Sequence, residues 1–261
     1  MGRQPVDQLE GRNPVLECLV RRKRRVRKVL LDAGARPDAR VRRILELAER
    51  AGVRVERVDR RRLDGIAEGR VHNGVVAMAD PLPGWTTRAL LDDVYERRQD
   101  PLLVMACEIS YEHNLGAILR SSLGFGVHGL VVPTRRGAGV SPVVQRVSMG
   151  AVEEVPVVRE GLSSALKHFK KDGLRVIGAD MRGQPLGTVD LRGPLVIAVG
   201  GEGGGLTKAV RDRCHAFVRI PLAGRLESLN VSVATAVLLY EKRRQDGWFE
   251  GGADDGGGLG T

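Results

Sequence analysis

Apolar residues in the first third of the chain form short strand-like runs, separated by stretches with helical spacing. The strand candidates are Val26–Leu31, Val53–Val58 and Val75–Ala79. These runs contain β-branched residues and have the length of a strand. Helices are predicted around Pro14–Val20, Val41–Ala48 and Leu63–Ile66. Residues 1–12 are polar and are predicted to form a tail, so the pattern indicates a small αβαβ module over residues 10–80.

A break follows at Pro81, Pro83 and Gly84, which are residue types that interrupt regular structure. We therefore expect a first domain over residues 1–80 and a second over residues 101–245. Residues 81–100 are predicted to be a linker that includes a helix around Thr87–Arg97. Residues 246–261 are rich in Gly and Asp and are expected to be a disordered tail.

The second domain alternates nearly continuous apolar strands with helices. The strand candidates are Leu102–Cys107, Gly129–Val132, Glu154–Val158, Arg175–Ala179, Leu195–Val199 and Val218–Ile220, and a long helix is predicted over Ser228–Arg244. Strands that are apolar along their whole length are typical of a parallel sheet covered by helices on both faces. The predicted fold class is therefore α/β.

Composition narrows the class of protein. Hydrophobic residues make up 42% of the 261 positions, yet no apolar run approaches the ~20 residues that span a bilayer. Met1–Glu10 has no apolar segment of the kind found in signal peptides, so a cytoplasmic protein with no membrane partner is expected. Cys18, Cys107 and Cys214 are far apart, which favours free thiols in a reducing compartment. No histidine stands at ligand spacing from a cysteine, so no metal site is expected.

Positive charge is concentrated towards the N-terminus. Residues 1–80 hold 20 Lys and Arg against 12 Asp and Glu, which accounts for +8 of the net charge of +10. A clustered basic excess is typical of a protein that binds a polyanion, although an arginine-rich solvated surface would give the same count. Aromatic residues make up only 3% of the chain, so contacts to the phosphates of a structured RNA fit better than base stacking.

Three short blocks in the second domain place glycines and polar side chains at the ends of predicted strands. In the first, Asn114 is predicted to cap a helix that carries Gly116 and Arg120 on one face. In the second, glycines surround Glu202 within Ala198–Leu206, so the backbone can approach a ligand closely. The glycine spacing there matches neither a Walker loop nor GxGxxG.

The third block joins a strand that ends at Pro221 to a helix predicted to be capped by Ser228, with Asn230 in its first turn. Small and β-branched residues along that helix predict close packing against a sheet or another subunit. Each block taken alone is weak evidence. A capped helix and core packing explain the first and third, whereas five glycines in six positions around Glu202 are hard to explain as a plain turn.

The order and spacing of the three blocks are specific. Asn-x-Gly-x-x-x-Arg, then Gly-x-Glu-x-x-Gly-Leu, then Ile-Pro-x-x-Gly-x-x-x-Ser-Leu-Asn-Val-Ser-x-Ala resembles the motifs of the SpoU (TrmH) family of RNA ribose 2′-O-methyltransferases over residues 100–245. The segments Gly11–Val15 and Val71–Ala77 are similar to the L30e-type RNA-binding domain that many members carry. The two-domain layout is most similar to the group that methylates a guanosine of large-subunit (23S) ribosomal RNA.

The resemblance implies a SPOUT fold, which is a Rossmann-like parallel sheet with a trefoil knot near its C-terminus. It further implies that S-adenosyl-L-methionine is held in the knot mostly by backbone atoms, with Gly200, Ile220 and Leu229 in contact with it. Members are homodimers whose site is completed across the interface, so a homodimer acting on structured RNA is expected.

The resemblance also implies a catalytic set, which is Arg120, Asn114, Glu202, Ser228 and Asn230. Arg120 is the central residue and is often assigned as the general base, but a guanidinium rarely gives up its proton. Binding of the target phosphate and stabilisation of a developing alkoxide suit it better. Asn114 would orient Arg120 or the ribose, and Glu202 would hold the loop or Arg120. Ser228 and Asn230 would hydrogen-bond the substrate or the catalytic side chains.

Other functions stay open at this point. A tRNA ribose methyltransferase or an antibiotic-resistance ribosomal RNA methyltransferase would differ mainly in the N-terminal domain and the tails. A non-catalytic RNA-binding protein of the same fold is disfavoured by the intact Arg120, Glu202 and Asn230. A dinucleotide-dependent enzyme is disfavoured because no GxGxxG follows the first strand of the second domain.

Overall fold

The computed structural model describes residues 5–34, 38–201, 204–224 and 228–249, which fold into two α/β domains. The elements of the first are β1 (Asp7–Glu10), α1 (Arg12–Arg21), β2 (Val26–Asp32), α2 (Ala39–Arg50), β3 (Arg54–Val58), α3 (Arg60–Ile66) and β4 (Val75–Ala79). The strand order of the sheet is β1–β4–β2–β3. β2 and β3 are parallel, whereas β4 is antiparallel to both β1 and β2.

Helices cover both faces of this sheet. α1 and α2 bury their apolar sides against one face, and α3 covers the other through Leu63. α2 begins after Asp38, whose carboxylate accepts a hydrogen bond from the backbone N–H of Val41 at 2.9 Å. Just beyond its end lies Gly52, whose φ of 63° is a conformation that glycine adopts most readily.

β1 lies within the predicted polar tail, and that prediction is wrong for residues 7–10. The strand pairs antiparallel with β4 at the edge of the sheet, and both Leu9 and Glu10 are fully buried. A four-residue strand with one apolar side chain shows no detectable alternation, because backbone hydrogen bonds to its neighbour define it. α1 likewise begins at Arg12, which places Pro14 in its first turn.

The second domain contains a six-stranded sheet. Its elements are α4 (Thr87–Glu96), β5 (Leu102–Cys107), α5 (Glu112–Gly124), β6 (Gly129–Val132), α6 (Pro142–Val147), β7 (Val157–Arg159), α7 (Leu162–Lys171), β8 (Arg175–Pro185), β9 (Leu195–Gly200), α8 (Lys208–Arg211), β10 (Ala216–Arg219) and α9 (Val231–Gln245). The strand order is β10–β8–β9–β5–β6–β7, and every neighbouring pair is parallel. The predicted α/β fold with a parallel sheet is confirmed.

Side chains of β5 alternate between two cores, one on each face of this sheet. Leu102, Val104 and Ala106 pack on the side of α5 and α9. Leu103 and Met105 pack on the side of α4, α7 and α8. Burial on both faces explains why the strand is apolar at every position.

α4 lies in the stretch predicted to be a linker, but it packs into the core of the second domain. Leu90 and Leu91 are fully buried, and Leu90 lies so close to Gly129 that a Cβ there would come within 2.3 Å of it. Burying each leucine contributes roughly 1.5–3 kcal/mol. The connection between the two cores is therefore shorter than residues 81–100, since α4 begins at Thr87.

Four predicted boundaries in the second domain are wrong by two residues or more. β8 extends to Pro185 rather than ending at Ala179, and β10 begins at Ala216 rather than Val218, because the two strands pair with each other across a register shift. β7 begins at Val157 rather than Glu154, because the chain is still turning there: Ala151–Glu153 is a 3₁₀ turn, and the N–H of Val155 donates to the carbonyl of Ala151 at 2.9 Å. α9 begins at Val231, three residues after the predicted start.

The strand order reverses beside β5. β6 and β7 extend the sheet to one side of it, while β9, β8 and β10 lie on the other. In open parallel sheets, ligands bind at the carboxyl edge near such a reversal. Within the described ranges, no helix combines the length and apolar character needed to cross a membrane.

Candidate active site

A cavity of about 320 Å³ opens at the carboxyl ends of β9 and β10 and beside the middle of β8, next to the start of α9. The residues that line it are Ala179, Asp180, Met181, Val199, Gly200, Gly201, Gly205, Val218, Arg219, Ile220, Leu222, Ser228, Leu229, Val231, Ala234 and Leu238. The structure thus brings together the three predicted cofactor contacts, Gly200, Ile220 and Leu229, with Ser228 beside them.

Two glycines of the second block, Gly200 and Gly201, are required by close approach of backbone to backbone. A Cβ on Gly200 would lie 2.1 Å from the carbonyl carbon of Gly205, and one on Gly201 would lie 2.4 Å from the carbonyl oxygen of Glu108. The N–H of Gly201 donates to Cys107 at 2.9 Å, and the N–H of Gly205 donates to Gly201 at 3.1 Å. Backbone, rather than side chains, therefore forms this wall of the cavity.

Asn114 and Asn230 are joined across two helices at the edge of the cavity. The Nδ2 of Asn230 donates to the Oδ1 of Asn114 at 3.0 Å, and the Oδ1 of Asn230 accepts from the N–H of Ser232 at 2.9 Å. At the other end of the same helices, Arg243 donates to the carbonyl of Phe125 at 2.7 Å. α5 and α9 therefore run parallel, with both N-terminal ends beside the site.

Both predicted helix caps are wrong. α5 begins at Glu112, so Asn114 lies inside its first turn, only 6% exposed, rather than at the cap. The N-cap of α9 is Asn230 and not Ser228. A short polar side chain caps a helix only where the backbone at that residue is still non-helical. The sequence gives no sign that Asn114 has already entered the helix and bonds to Asn230 instead.

Arg120 stands apart from the cavity. It is exposed on α5 and has no hydrogen bond or ion pair with any residue in the described ranges. It follows Asn114 by six positions, which is about 9 Å along the helix axis. Glu202, the remaining member of the predicted catalytic set, lies outside the described residues.

Asp180 was not among the predicted site residues, although it directly follows a predicted strand. Arg211 donates a hydrogen bond to its Oδ2, and the N–H of Arg182 donates to its Oδ1 at 2.9 Å. Burial raises the pKa of Asp180, but these hydrogen bonds and the two positive charges outweigh it and hold the pKa below its ordinary value. The cavity therefore contains an ionised carboxylate at neutral pH. A carboxylate directly after a strand predicted from the sequence was the available signal.

The lining of the cavity fits S-adenosylmethionine. Val199, Val218 and Ile220 offer apolar contacts for an adenine ring, and the glycine backbone offers close polar contacts. Asp180 can accept hydrogen bonds from ribose hydroxyls or attract a positive charge. No group of His, Cys, Asp and Glu in the described parts of the chain has the arrangement of a metal site.

An aromatic patch lies on the outer side of α9, away from the sheet. We define it as Phe125, Tyr240, Trp248 and Phe249, whose rings contact one another at centroid distances of 5.1–6.4 Å. Tyr240, Trp248 and Phe249 are each about half exposed, at 50, 49 and 48%. Clustered exposed aromatics of this kind are typical of surfaces that contact another protein.

Two family models match the chain. Residues 101–240 match the model described as the SpoU rRNA methylase family. Residues 8–85 match the model described as RNA 2′-O ribose methyltransferase substrate binding. The two matches correspond to the second and first domains of the structure.

Relatives cover most of the chain. An uncharacterized tRNA/rRNA methyltransferase of Mycolicibacterium vanbaalenii is 41% identical over 237 residues, which is 90% of this chain and 75% of the relative. The 23S rRNA (guanosine-2′-O-)-methyltransferase RlmB of Bordetella pertussis is 37% identical over 243 residues, which is 91% of this chain and 96% of the relative.

Solved structures share the fold. The SpoU methyltransferase AviRb of Streptomyces viridochromogenes, in complex with AdoMet, superposes with a TM-score of 0.75 at 26% identity, covering 92% of this chain and 90% of that one. An AdoMet-bound rRNA methyltransferase of Sinorhizobium meliloti superposes with a TM-score of 0.76 at 23% identity, covering 92% and 87%.

Proposed function

The chain belongs to the SpoU rRNA methylase family, and we propose that it transfers a methyl group from S-adenosylmethionine to the 2′-hydroxyl of a guanosine in 23S ribosomal RNA. The observation that carries the proposal is the cavity, in which the family's motif residues converge on a glycine-walled pocket. The substrate follows from the RlmB relative, which aligns with nearly the whole of both domains. We place the reaction in the cytoplasm, where ribosomal RNA is found.

The cofactor is held by the cavity at the carboxyl ends of β9 and β10 and the middle of β8. When bound, it supplies a methyl group on a sulfonium, which is already activated for transfer. Gly200, Ile220 and Leu229 form the contact surface, and Asp180 adds an anionic acceptor. The task left to the protein is to position the ribose in line and to make its 2′-oxygen a better nucleophile.

We assign Arg120 the role of acting on the reacting 2′-oxygen. Its guanidinium is exposed and engages no acceptor in the described ranges, so it can bind an incoming phosphate and stabilise negative charge on the 2′-oxygen. Asn114 and Asn230 hold α5 against the start of α9, which fixes the helix that carries Arg120. Ser228 is exposed at the rim of the cavity, and we assign it a hydrogen bond to the ribose. We keep Glu202 as the residue that holds the glycine loop.

A homodimer would explain why Arg120 does not line the cavity of its own chain. The aromatic patch and the exposed Val233 on α9 supply an apolar surface for a second copy. In such a pair, Arg120 of one protomer would serve the cavity of the other. The trefoil knot stays a prediction from the family.

The direct test uses purified protein, labelled S-adenosylmethionine and ribosomal RNA. Methylation of a 2′-oxygen blocks alkaline cleavage of the adjacent phosphodiester, so the label should be recovered in alkali-resistant dinucleotides. Label recovered in mononucleotides after alkali would place the methyl group on a base and overturn the proposed chemistry.

A further inference from the structure

The basic residues of the run Arg21–Lys28 lie in two different environments. Arg22 and Arg25 are exposed, as expected for residues that face a polyanion. Arg24 is instead buried, with its side chain 1% exposed, and it points into the second domain. A fully buried arginine must be matched by acceptors, because an unpaired buried charge is strongly unfavourable.

The acceptors of Arg24 come from both domains. Its guanidinium donates to the carboxylate of Glu153 at 2.5 and 3.1 Å and to the side-chain oxygen of Gln145 at 2.8 Å, both in the second domain. It also donates to Asp7 of β1 at 2.6 Å and to the carbonyl of Asp80 at 3.2 Å. The side chain of Glu153 is likewise 1% exposed. The pair is therefore sealed from water at the domain interface.

The electrostatics agree with this geometry. Burial by itself lowers the pKa of Arg24, but the hydrogen bonds and negative charge of Glu153 outweigh it, so the pKa of Arg24 is raised. The guanidinium of Arg24 therefore stays charged while the domains are in contact. Separating the domains would break its hydrogen bonds to Glu153 and Gln145.

Contacts around the pair extend the interface. Arg21 forms an ion pair with Glu154, and Lys23 approaches the same carboxylate at 3.5 Å. Gly150 has a φ of 94° and lies against the side chain of Glu17. A Cβ at position 150 would come within 2.1 Å of the Cγ of Glu17, so only glycine leaves room for it. Basic residues of the first domain thus meet the acidic pair Glu153–Glu154 of the second.

The interface leads directly to the helix that carries Arg120. Gln145 belongs to α6, and Glu153 belongs to the 3₁₀ turn that follows it. α6 packs against α5 at Gly116, where a Cβ would come within 2.7 Å of Val147. Movement of the first domain would therefore be transmitted to α5 through a tightly packed contact.

We propose that Arg24 and Glu153 form an interdomain latch, which fixes the distance and orientation between the RNA-binding domain and α5. Arg24 is on this view a positioning residue, because it contacts neither substrate nor cofactor. Its effect on catalysis rests on the proposed function, whereas its effect on domain arrangement does not. When the two domains are held in one arrangement, only certain RNAs fit. The RNA feature bound by the first domain and the target ribose must then lie at a fixed distance from each other.

The test compares Arg24→Met with Arg88→Met in the full-length protein. Arg88 pairs with Asp92 and Asp172 inside the second domain, so its loss removes an arginine–carboxylate pair, more exposed than that of Arg24, without touching the interface. Small-angle X-ray scattering should show a larger maximum dimension for Arg24→Met only. The KM for ribosomal RNA should rise about tenfold, while the Kd for S-adenosylmethionine and the kcat at saturating RNA stay within about twofold of the wild type.

Further variants separate a latch from a general loss of stability. Arg24→Lys keeps the charge and should restore part of the wild-type KM. Should Arg24→Met fail to fold, Glu153→Gln, which keeps the shape of the side chain, should give the same shifts to a smaller degree. Unchanged scattering and KM in a folded Arg24→Met or Glu153→Gln protein would overturn the latch, as would equal shifts in Arg88→Met. If the wild type methylates no RNA, the proposed function fails, and scattering alone decides whether the latch exists.

Discussion

Gly200 and Gly204 lie four residues apart in the same glycine-rich block but face different constraints. A side chain at position 200 would overlap the backbone of Gly205, whereas one at position 204 would meet nothing within 4 Å. The sequence shows only that both are glycine. Which of them is required depends on the fold of the loop, and that is visible only in the structure.

This difference gives a matched pair of substitutions. Gly200→Ala should weaken binding of S-adenosylmethionine by at least about tenfold, because the Cβ forces apart the two backbone segments that form the cavity wall. Gly204→Ala should leave the affinity within about twofold of the wild type. Titration calorimetry measures both. Equal affinities for the two variants would show that the cofactor does not use this wall.

At the scale of elements, the parallel α5–α9 pair organises the site. Asn230 has two roles in it: its Oδ1 caps α9, and its Nδ2 bonds to Asn114 on α5. An aspartate at this position would keep the capping acceptor and lose the donor.

Substitutions of Asn230 should therefore separate stability from activity. Asn230→Ala loses both roles and should lower the free energy of unfolding by about 1 kcal/mol or more. Asn230→Asp should retain most of that stability in urea unfolding and still lose methylation activity, because the donor that holds Asn114 against the start of α9 is gone. Full activity in Asn230→Asp would contradict the positioning role of the Asn114–Asn230 hydrogen bond.

Elements with many buried side chains could be predicted from the sequence, and elements defined by backbone pairing could not. β5, β6 and β4 match their predicted bounds, because every residue or every second residue is apolar and buried. β1 was missed because its pairing with β4 leaves almost no trace in the side chains. The same distinction applies to the residues of the candidate site. Residues in the motifs were predicted, whereas Asp180, whose role depends on Arg211 and on the cavity, was not.

In the molecule as a whole, the net charge of the N-terminal region overstates how many basic residues are available to bind RNA. Arg21, Lys23 and Arg24 face the acidic residues of the second domain, while Arg22 and Arg25 remain exposed. A net charge cannot distinguish a cation that meets RNA from one that meets a neighbouring domain. Only the tertiary contacts make that distinction.

The two exposed arginines should contribute to the salt dependence of RNA binding. If both contact phosphates, Arg22→Ala with Arg25→Ala should reduce the slope of log K against log salt by about 1.4–1.8. Lys170→Ala with Lys171→Ala removes the same charge from α7 and serves as the control. A filter-binding series from low to high salt measures the slopes. Identical slopes in the two double variants would place the RNA elsewhere.

A site shared between protomers can be tested by mixing two inactive variants. Arg120→Ala should lose at least about 100-fold in methylation while binding the cofactor normally. Gly200→Ala should lose methylation when S-adenosylmethionine is kept well below the weakened Kd of the variant. In a mixed dimer, one intact cavity meets one intact Arg120, so random exchange of protomers should restore about a quarter of the wild-type activity. No recovery, in a mixture shown by mass spectrometry to contain mixed dimers, would mean that each protomer uses its own Arg120.

The measurement that bears most directly on the central claim is methyl transfer to total RNA from a host that lacks this gene, followed by mapping of ribose-methylated positions. We expect a single new 2′-O-methyl group, at a guanosine of 23S ribosomal RNA, which appears with the wild-type protein and is absent with Arg120→Ala. Label in tRNA would keep the chemistry and contradict the target. No ribose methylation of any RNA, by a protein that binds S-adenosylmethionine, would contradict the proposed function itself.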